Sequence, residues 1–499
     1  MKLNMGESRM DLLPIYLCVG ITHRRYFCKM KTDSSSQPKF LQLLGLLSNK
    51  EKKRFGRYLL VNLDSDDFAV KLYGFISVNE NLDKKEAFEV IYPNDIYDDK
   101  KIRYLLTTLN DELENFLIHC HLQTNPMMAN NLLMRELVFR NSEKPFYGIL
   151  LSQNQLFESP ATAKDTDYYL HKFLTEEGLL LAATQNFKRQ ETSNIQTVVD
   201  KLDTFYLARK LQLCCEIFNV QNVLGTNYKV FLLDEITEYL SKNTLQNEPL
   251  VNIYFKILKT LTESETESHF ADLRHLLNEF EHQFKTTELR DMYQYVMNYC
   301  IKKINLGNLA YQRELFETYK KTLENKVLLP NDKISQWDYK NIVTISMRLK
   351  ELAWAEGFIK TYKSYLADAD RENAFKYNLS YLHFMRKEFS QTLSLLQKVD
   401  FTDVFYQLDT KAILLKTYFE IDDDDAFDYH AKAFKLFLKR DRKISDYQTL
   451  IYSNLINYSK QIVSAGRSKK KLAELKSAIQ TKKQTADIQW LIEKIEERG

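Results

Sequence analysis

Along most of this chain, apolar residues recur at the spacing of an α-helix. The clearest example lies between residues 102 and 117, where one stripe repeats at intervals of three and four residues: Ile102, Leu105, Leu106, Leu109, Leu113, Phe116 and Leu117. Such a stripe is typical of a long amphipathic helix that packs on one side. Asp98 or Asp99 stands where the N-terminal cap of this helix is expected.

An earlier helix start is marked by Ser48 and Glu51, which have the spacing of a capping box. In this motif each side chain accepts a hydrogen bond from the backbone N–H of the other residue. We expect the helix to run over residues 49–61. From about residue 194 onward, long segments are apolar on more than one face, as expected for helices that pack between neighbours in a stack.

The scarcity of helix-breaking residues favours the same architecture. The chain has 499 residues but only 12 Gly and 8 Pro, and no proline follows Pro330. Because proline interrupts helices and both residue types mark turns, their scarcity indicates helices joined by short connections. The sequence therefore predicts an all-α fold.

A repeated spacing occurs in the C-terminal half. Four pairs of residues recur at an offset of 34 positions: Leu379–Ile413, Phe384–Tyr418, Thr392–Ala426 and Leu393–Phe427. One unit earlier, Leu349–Phe384 and Phe358–Leu393 are 35 positions apart. Thirty-four residues is the period of tetratricopeptide repeats, whose antiparallel helix pairs stack into an α-solenoid. Since the consensus small residues match poorly, a generic helical array or bundle is the alternative.

These patterns divide the chain into five segments: an N-terminal extension (1–37), an N-terminal helical module (38–122), a connection of shorter, irregular helices (123–193), tetratricopeptide-like repeats (194–466) and C-terminal capping helices (467–499). The extension lacks helical periodicity, and we expect it to be either disordered or untranslated, with Met30 as the natural start. The capping helices carry apolar residues on one face and Lys and Glu on the other, as expected at the end of a solenoid.

Charge and cysteine content indicate the compartment of the protein but do not indicate its partner. Lys and Arg total 70 and Asp and Glu 67, so the formal net charge is only +3. No CxxC occurs among the six cysteines, which favours a reducing compartment. The longest apolar run near the N-terminus, 12–22, is about half of what a bilayer-spanning helix needs. We therefore expect a cytoplasmic protein that does not associate with membranes.

No arrangement of residues predicts catalysis, a cofactor or a metal ion. The glycines are too dispersed for a phosphate-binding loop. His119 and His121 point apart on a helix, and Cys214 and Cys215 read as small apolar residues. The acidic run 422–425 resembles half of a calcium loop, but we expect it to begin a helix. The sequence therefore predicts a non-enzymatic protein without cofactor or metal.

Several segments resemble a family of uncharacterised bacterial tetratricopeptide-like proteins. The resemblance is carried by phrases such as LLSNKEKKRFGRYL (46–59) and YCIKKINLGNLAYQRELFETYKKTLENKVLL (299–329), and by the segments 202–224, 337–366, 371–421 and 485–495. It covers roughly residues 40–499. It implies an all-helical repeat fold in the cytoplasm, and it implies no reaction because no functional residue of the family is assigned.

The leading hypothesis is an interaction scaffold that binds another protein or a peptide. In such arrays the first helix of each pair lines the binding face. Helical phase places Tyr377, Tyr381 and Lys411 on that face. An enzyme of unfamiliar type has no group of residues to support it.

The competing hypothesis is a nucleic-acid-associated regulator with a binding module at 40–122. Two basic clusters favour it: Lys50, Lys52, Lys53, Arg54 and Arg57, and Arg467, Lys469, Lys470 and Lys471. The segment 83–117 could form a helix-turn-helix, although no glycine marks its turn. Because apolar residues on the first basic helix form a core face, its charges are more simply its solvated side.

Overall fold

The structure is a computed structural model that describes residues 37–79, 82–185, 194–224, 228–243, 245, 247–399, 403–441, 443–482 and 484–499. Within these ranges the chain forms 23 α-helices, three short 3-10 turns and no β-strand. The predicted all-α fold is therefore confirmed. The extension 1–37, apart from its last residue, and the expected start at Met30 lie outside the described residues.

Two compact units make up the described chain. The first consists of residues 37–162 and 167–205, and the second of residues 163–166 and 206–499. The first unit is built from eight helices and the beginning of a ninth: α1 (Lys39–Leu44), α2 (Asn49–Asn62), α3 (Phe68–Val78), α4 (Lys84–Ile91), α5 (Asp99–Thr124), α6 (Pro126–Phe139), α7 (Glu143–Glu158), α8 (Thr166–Gln185) and α9 (Ile195–Leu224).

Both helix starts predicted in the first unit are present. The Ser48 N–H donates to the Glu51 carboxylate at 2.8 Å, and the Glu51 N–H donates to the serine hydroxyl at 3.3 Å, so the capping box is confirmed. The helix that it opens, α2, ends at Asn62, one residue later than predicted. Asp98 caps α5, and six of the seven predicted stripe residues on that helix are buried, Leu117 being the exception.

The second unit is an array of helix pairs. Its helices are the end of α9, α10 (Leu233–Lys242), α11 (Pro249–Thr262), α12 (Glu267–Phe280), α13 (Thr286–Asn305), α14 (Tyr311–Glu324), α15 (Gln336–Arg348), α16 (Leu352–Thr361), α17 (Asp368–Met385), α18 (Phe389–Leu396), α19 (Val404–Glu420), α20 (Asp424–Arg440), α21 (Asp446–Ala465), α22 (Lys469–Lys482) and α23 (Ile488–Arg498).

From α11 to α22 the helices pack as six consecutive antiparallel pairs. The first helices of these pairs (α11, α13, α15, α17, α19 and α21) are here called A helices, and the second helices (α12, α14, α16, α18, α20 and α22) B helices. A helices of neighbouring pairs pack together in most of the array, and α14, α16, α18 and α20 pack against the next A helix. This is the α-solenoid arrangement.

A tight turn joins the two helices within a pair. In four pairs one turn residue adopts the left-handed conformation: Gly307, Lys350, Lys387 and Asp422. The next N–H then bonds a carbonyl five residues back, as Glu388 does to His383 at 2.8 Å. This is the Schellman arrangement, which satisfies carbonyls at a helix end.

These turns correct the predicted repeat register. Lys387 and Asp422 are 35 residues apart, not 34. The N–H of each left-handed residue donates to the carbonyl three residues earlier, which belongs to Phe384 in one pair and to Phe419 in the next. These two residues are therefore equivalent, and both are buried. The predicted partner of Phe384 was Tyr418, which is only partly buried. One pair earlier, the turn residues are 37 positions apart, so the spacing varies along the array.

Replacing Lys387 by glycine should stabilise the second unit. A left-handed conformation costs a residue with a Cβ atom about 1–2 kcal/mol, and glycine avoids this cost at a smaller loss of unfolded-state entropy. We expect the free energy of unfolding to rise by about 0.5–1 kcal/mol in urea titrations. As a control, Lys376→Gly in the interior of α17 should lower it by about 1 kcal/mol. A loss of stability in both variants would contradict the left-handed turn.

Candidate functional site

Two of the three predicted partner-binding residues are buried. Tyr377 and Tyr381 on α17 are 0% and 2% exposed, so neither offers surface to a partner in this structure. Lys411 on α19 is partly exposed, and its ammonium group lies 4.9 Å from the centre of the Phe437 ring. The two tyrosines are packing residues here, and partner binding by Lys411 stays a prediction.

A buried ion pair lies on the A-helix face, where a peptide was expected to bind. Lys340 on α15 and Asp409 on α19 form it, with side chains 2% and 0% exposed. Tyr452 on α21 donates a hydrogen bond to the same carboxylate at 2.7 Å. The Lys340 ammonium lies 4.8 Å from the centre of the Tyr406 ring and 5.6 Å from that of Tyr377. The pair therefore joins A helices that are not neighbours, past the intervening α17.

A second buried ion pair lies at the C-terminal end of this face. Lys416 on α19 lies 2.8 Å from the carboxylate of Asp487, in the turn before α23. Glu420, one turn later on α19, accepts hydrogen bonds from the Trp490 indole at 2.7 Å and from the Lys494 ammonium at 2.9 Å. The last helix, α23, is thus hydrogen-bonded to α19 and also packs against its neighbour α21.

Burial opposes ionisation of both partners in the first pair. It lowers the pKa of Lys340 and raises the pKa of Asp409, although each charge favours the ionised state of the other. Attraction between buried charges offsets their lost hydration only with good geometry and further hydrogen bonds. Tyr452 supplies one such bond. We therefore expect the pair to contribute more to which helices meet than to the stability of the fold.

Removing only one partner of this pair should be costly. Lys340→Met leaves the Asp409 carboxylate buried without its cation, and we expect the free energy of unfolding to fall by about 3–5 kcal/mol in urea titrations. The double variant Lys340→Met/Asp409→Leu should recover most of this loss. As a surface control, Lys476→Met breaks an exposed pair with Glu496 and should change stability by less than about 1 kcal/mol. Equal losses in the single and double variants would contradict this account.

A separate group of polar residues lies at the start of α13. Glu288 accepts hydrogen bonds from the Tyr254 hydroxyl and, at 3.2 Å, from the Gln212 side-chain amide. Burial raises the pKa of Glu288 to about 7, the nearby Asp291 and Asp165 carboxylates add to the increase, and the Tyr254 hydrogen bond opposes it. This carboxyl group therefore exchanges its proton close to neutral pH.

Glu288 should make the second unit less stable as the pH rises towards neutrality. Between pH 4.5 and about 7 the folded chain holds a proton that the unfolded chain releases, so the stabilisation is complete below pH 4.5 and is lost as the pH passes 7. The difference corresponds to at most about 3 kcal/mol. Glu288→Gln should flatten the profile of unfolding free energy between pH 5 and 8. Exposed Glu474→Gln is the control and should leave the slope unchanged.

An open cleft lies between the B helices α12 and α14. Its volume is about 710 Å³. Phe270 and Tyr311 line it together with the exposed Ala271 and Ala310 at its mouth. Arg274 crosses from α12 to α14, lying 2.8 Å from the Glu314 carboxylate and donating to the Thr318 hydroxyl at 2.9 Å. The cleft is therefore an open depression of the surface that combines aromatic and charged side chains. No motif marks it in the sequence, because its aromatic residues lie on ordinary apolar stripes.

The first predicted basic cluster lies on the exposed side of α2, with Lys52 only partly exposed. Lys50, Lys53, Arg54 and Arg57 are all exposed, as expected for the solvated side of this helix. Arg54 donates to the Gln123 side chain at 2.9 Å. The second basic cluster, at the start of α22, is exposed as well.

The helix-turn-helix interpretation fits the structure poorly. Residues 92–98 separate α4 from α5, which is longer than the usual turn of three or four residues. The N-terminus of α5 carries Asp98 and Asp99, and Asp99 pairs with Arg103 and, at 3.1 Å, with Lys84. Since the N-terminal residues of a recognition helix approach phosphates and base edges, acidic side chains there disfavour DNA.

Among the described residues, no group of three or more His, Cys, Asp or Glu side chains is placed to hold a metal ion. Cys214 and Cys215 are buried, and burial raises the pKa of both thiols. A search of the same residues finds no helix with the length and apolar character needed to cross a membrane. Asp423 caps α20, so the acidic run begins a helix as predicted.

No protein-family model matches the chain, and neither a curated protein nor a solved structure is significantly similar to it. The resemblance to tetratricopeptide-like proteins therefore rests on the sequence phrases alone.

Proposed function

We propose that this chain is a non-enzymatic scaffold, tetratricopeptide-like in construction, that binds another protein in the cytoplasm. The observation that carries the proposal is the open cleft between α12 and α14 in an array of packed helix pairs. Stacked helix pairs present extended surfaces that repeat proteins use for binding, and Phe270 and Tyr311 add aromatic character to this part of the surface. Leu306 and Leu309, in the turn beside the cleft, are 40% and 49% exposed and add apolar surface for a partner.

The binding surface in this proposal differs from the one expected from helical phase. The A-helix face around Tyr377 and Tyr381 is filled by Lys340, Asp409 and their neighbouring tyrosines. A partner would have to break a buried ion pair to enter there, which costs several kcal/mol. The B-helix side requires no such rearrangement, and we therefore assign partner binding to it.

A photo-crosslinking amino acid at Ser268, which lies at the rim of the cleft, tests this function. With p-benzoyl-phenylalanine at this position in the full chain, irradiation of the native cells should yield one discrete adduct with another protein. The adduct should survive nuclease treatment and high salt. The same amino acid at exposed Ala473 on α22 is the control and should not give that adduct. Crosslinks that are equal at both positions, or that consist only of nucleic acid, would refute the scaffold.

Nucleic-acid association is the second candidate function. One observation favours it: Lys50, Lys53 and Arg57 lie at i, i+3 and i+7 on the exposed side of α2, and none has an ion-pair partner within the described part of the chain. Three cations on one helix face attract phosphates in a salt-dependent manner. In the crosslinking experiment this function would appear as nuclease-sensitive material that is lost when the three residues are replaced by alanine.

A further inference from the structure

We propose that α9 is a self-association surface, which pairs antiparallel with α9 of a second copy of this chain. The surface uses none of the residues of the cleft between α12 and α14, and it does not depend on the proposed function. Three features of α9 support it: an exposed apolar stripe, the spacing of that stripe, and side chains that complement one another across a two-fold axis.

One face of α9 carries a stripe of exposed apolar side chains. Its members are between 40% and 54% exposed: Ile195, Val199, Leu202, Tyr206 and Leu213. The remainder of the helix includes covered positions, because Ala208, Leu211, Cys214 and Cys215 are at most 1% exposed. The sequence pattern shows apolar residues on more than one face of this segment, and the described part of the chain covers only one of these faces. Contiguous exposed apolar surface of this kind marks an interaction site.

Hydrogen bonds fix the rotation of α9 about its own axis. Asn194, directly before the helix, donates to the Glu176 carboxylate at 2.7 Å. Further along, the Gln212 side-chain amide donates to the Tyr254 hydroxyl at 3.1 Å, and the Cys215 thiol lies 3.4 Å from the Tyr254 carbonyl. The stripe is therefore held in its exposed orientation at both ends.

The spacing of the stripe is that of the core positions in a coiled coil. Successive members are four, three, four and seven residues apart. Alternating steps of three and four are the pattern with which one helix packs lengthwise against another. Arg209, which is exposed, occupies the position within the seven-residue step. The structure that fits this stripe is therefore another helix.

A second copy of α9 complements the stripe. With a two-fold axis level with residues 207–208, Leu202 of one copy lies opposite Leu213 of the other, and Tyr206 lies opposite Arg209. Each contact occurs twice, since both copies use the same patch in a two-fold dimer. Leucine then meets leucine, and the arginine guanidinium lies against the face of an aromatic ring.

The charged residues beside the stripe favour the same register. Asp203 is exposed and Lys210 is partly exposed, and neither has an ion-pair partner within the described residues. In the antiparallel register each Asp203 faces Lys210 of the other copy, about 3 Å away along the helix axis. Sliding one copy by one heptad would instead bring the two Asp203 carboxylates together. Opposite charges at such flanking positions set partner choice and orientation.

Sedimentation equilibrium of the full chain tests the inference. The chain has a mass of 59.1 kDa, and we expect a concentration-dependent mass that approaches twice this value. Leu202→Asp should raise the dimer Kd at least about tenfold, because it places a carboxylate opposite Leu213 without a cation. Leu436→Asp on α20 is the matched control, since Leu436 is 46% exposed and Leu202 42%; it should leave the Kd unchanged.

Charge reversal tests whether the partner is a second copy. Asp203→Lys and Lys210→Asp each bring like charges together and should each raise the dimer Kd severalfold. The double variant Asp203→Lys/Lys210→Asp restores opposite charges and should return the Kd to near its native value. Losses that add in the double variant would contradict the antiparallel pairing. Both side chains are at least partly exposed, so the variants should fold.

Disulfide formation tests the orientation of the two helices. Leu202→Cys and Leu213→Cys are made separately in a chain whose Cys18, Cys28 and Cys120 are serine; the other native cysteines are buried. A mixture of the two variants should form a crosslinked dimer on mild oxidation. Either variant alone should not, because identical positions are about 16 Å apart along the axis in this register. Crosslinking of the single variants would show a parallel pair and overturn the proposal.

A native chain that is monomeric at every concentration would also overturn the proposal, and would leave the stripe to another protein or to a segment of the same chain. Because the Ser268 crosslink reports on a different surface, self-association and the scaffold function can each fail while the other stands.

Discussion

The ion pair between Lys340 and Asp409 constrains the second unit more than any other contact described here. It joins α15 to α19, and the complete helix pair α17–α18 lies between these two helices in the sequence. Because an unpaired buried charge is costly, the presence of both charges favours the arrangement in which the two helices come together. The tyrosines around the pair then have fixed positions, and Tyr377 and Tyr381 become interior residues. The A-helix surface around this contact is therefore filled by the protein's own side chains.

The parts of the fold that depend on neighbouring residues were predictable from the sequence. The capping box at Ser48 and the apolar stripe on α5 are local patterns, and the structure confirms both. The contact between α15 and α19 was not predictable in the same way, since helical phase shows which side of a helix is apolar but not which distant helix covers it. The repeat register failed for a related reason. The turns at Lys387 and Asp422 set the spacing of the repeats. Because lysine and aspartate occupy the left-handed positions, no glycine marks these turns in the sequence.

The cleft between α12 and α14 illustrates a further limit. Phe270 is buried and Tyr311 is partly exposed, yet both occur at apolar positions that a sequence pattern assigns to the core. Their exposure depends on how closely two B helices approach, and Arg274 and Glu314 form an ion pair across that gap. Alanines at the mouth gave no signal, because a small residue on a helix is consistent with many environments. A groove of this kind becomes visible only when the helices are placed.

The unequal spacing of the turns has a consequence for how such a chain changes during evolution. In an array of interchangeable units, one pair can be lost or duplicated and its neighbours still fit. Here the turn residues Lys350, Lys387 and Asp422 are 37 and 35 positions apart, and Lys340 and Asp409 lie on opposite sides of the pair between them. Deleting that pair would bring the wrong faces together, and inserting a copy would separate the two charges. The segment from α15 to α19 therefore differs from an array of interchangeable units, because its central pair can be neither lost nor duplicated without separating the charges from each other or from their surroundings.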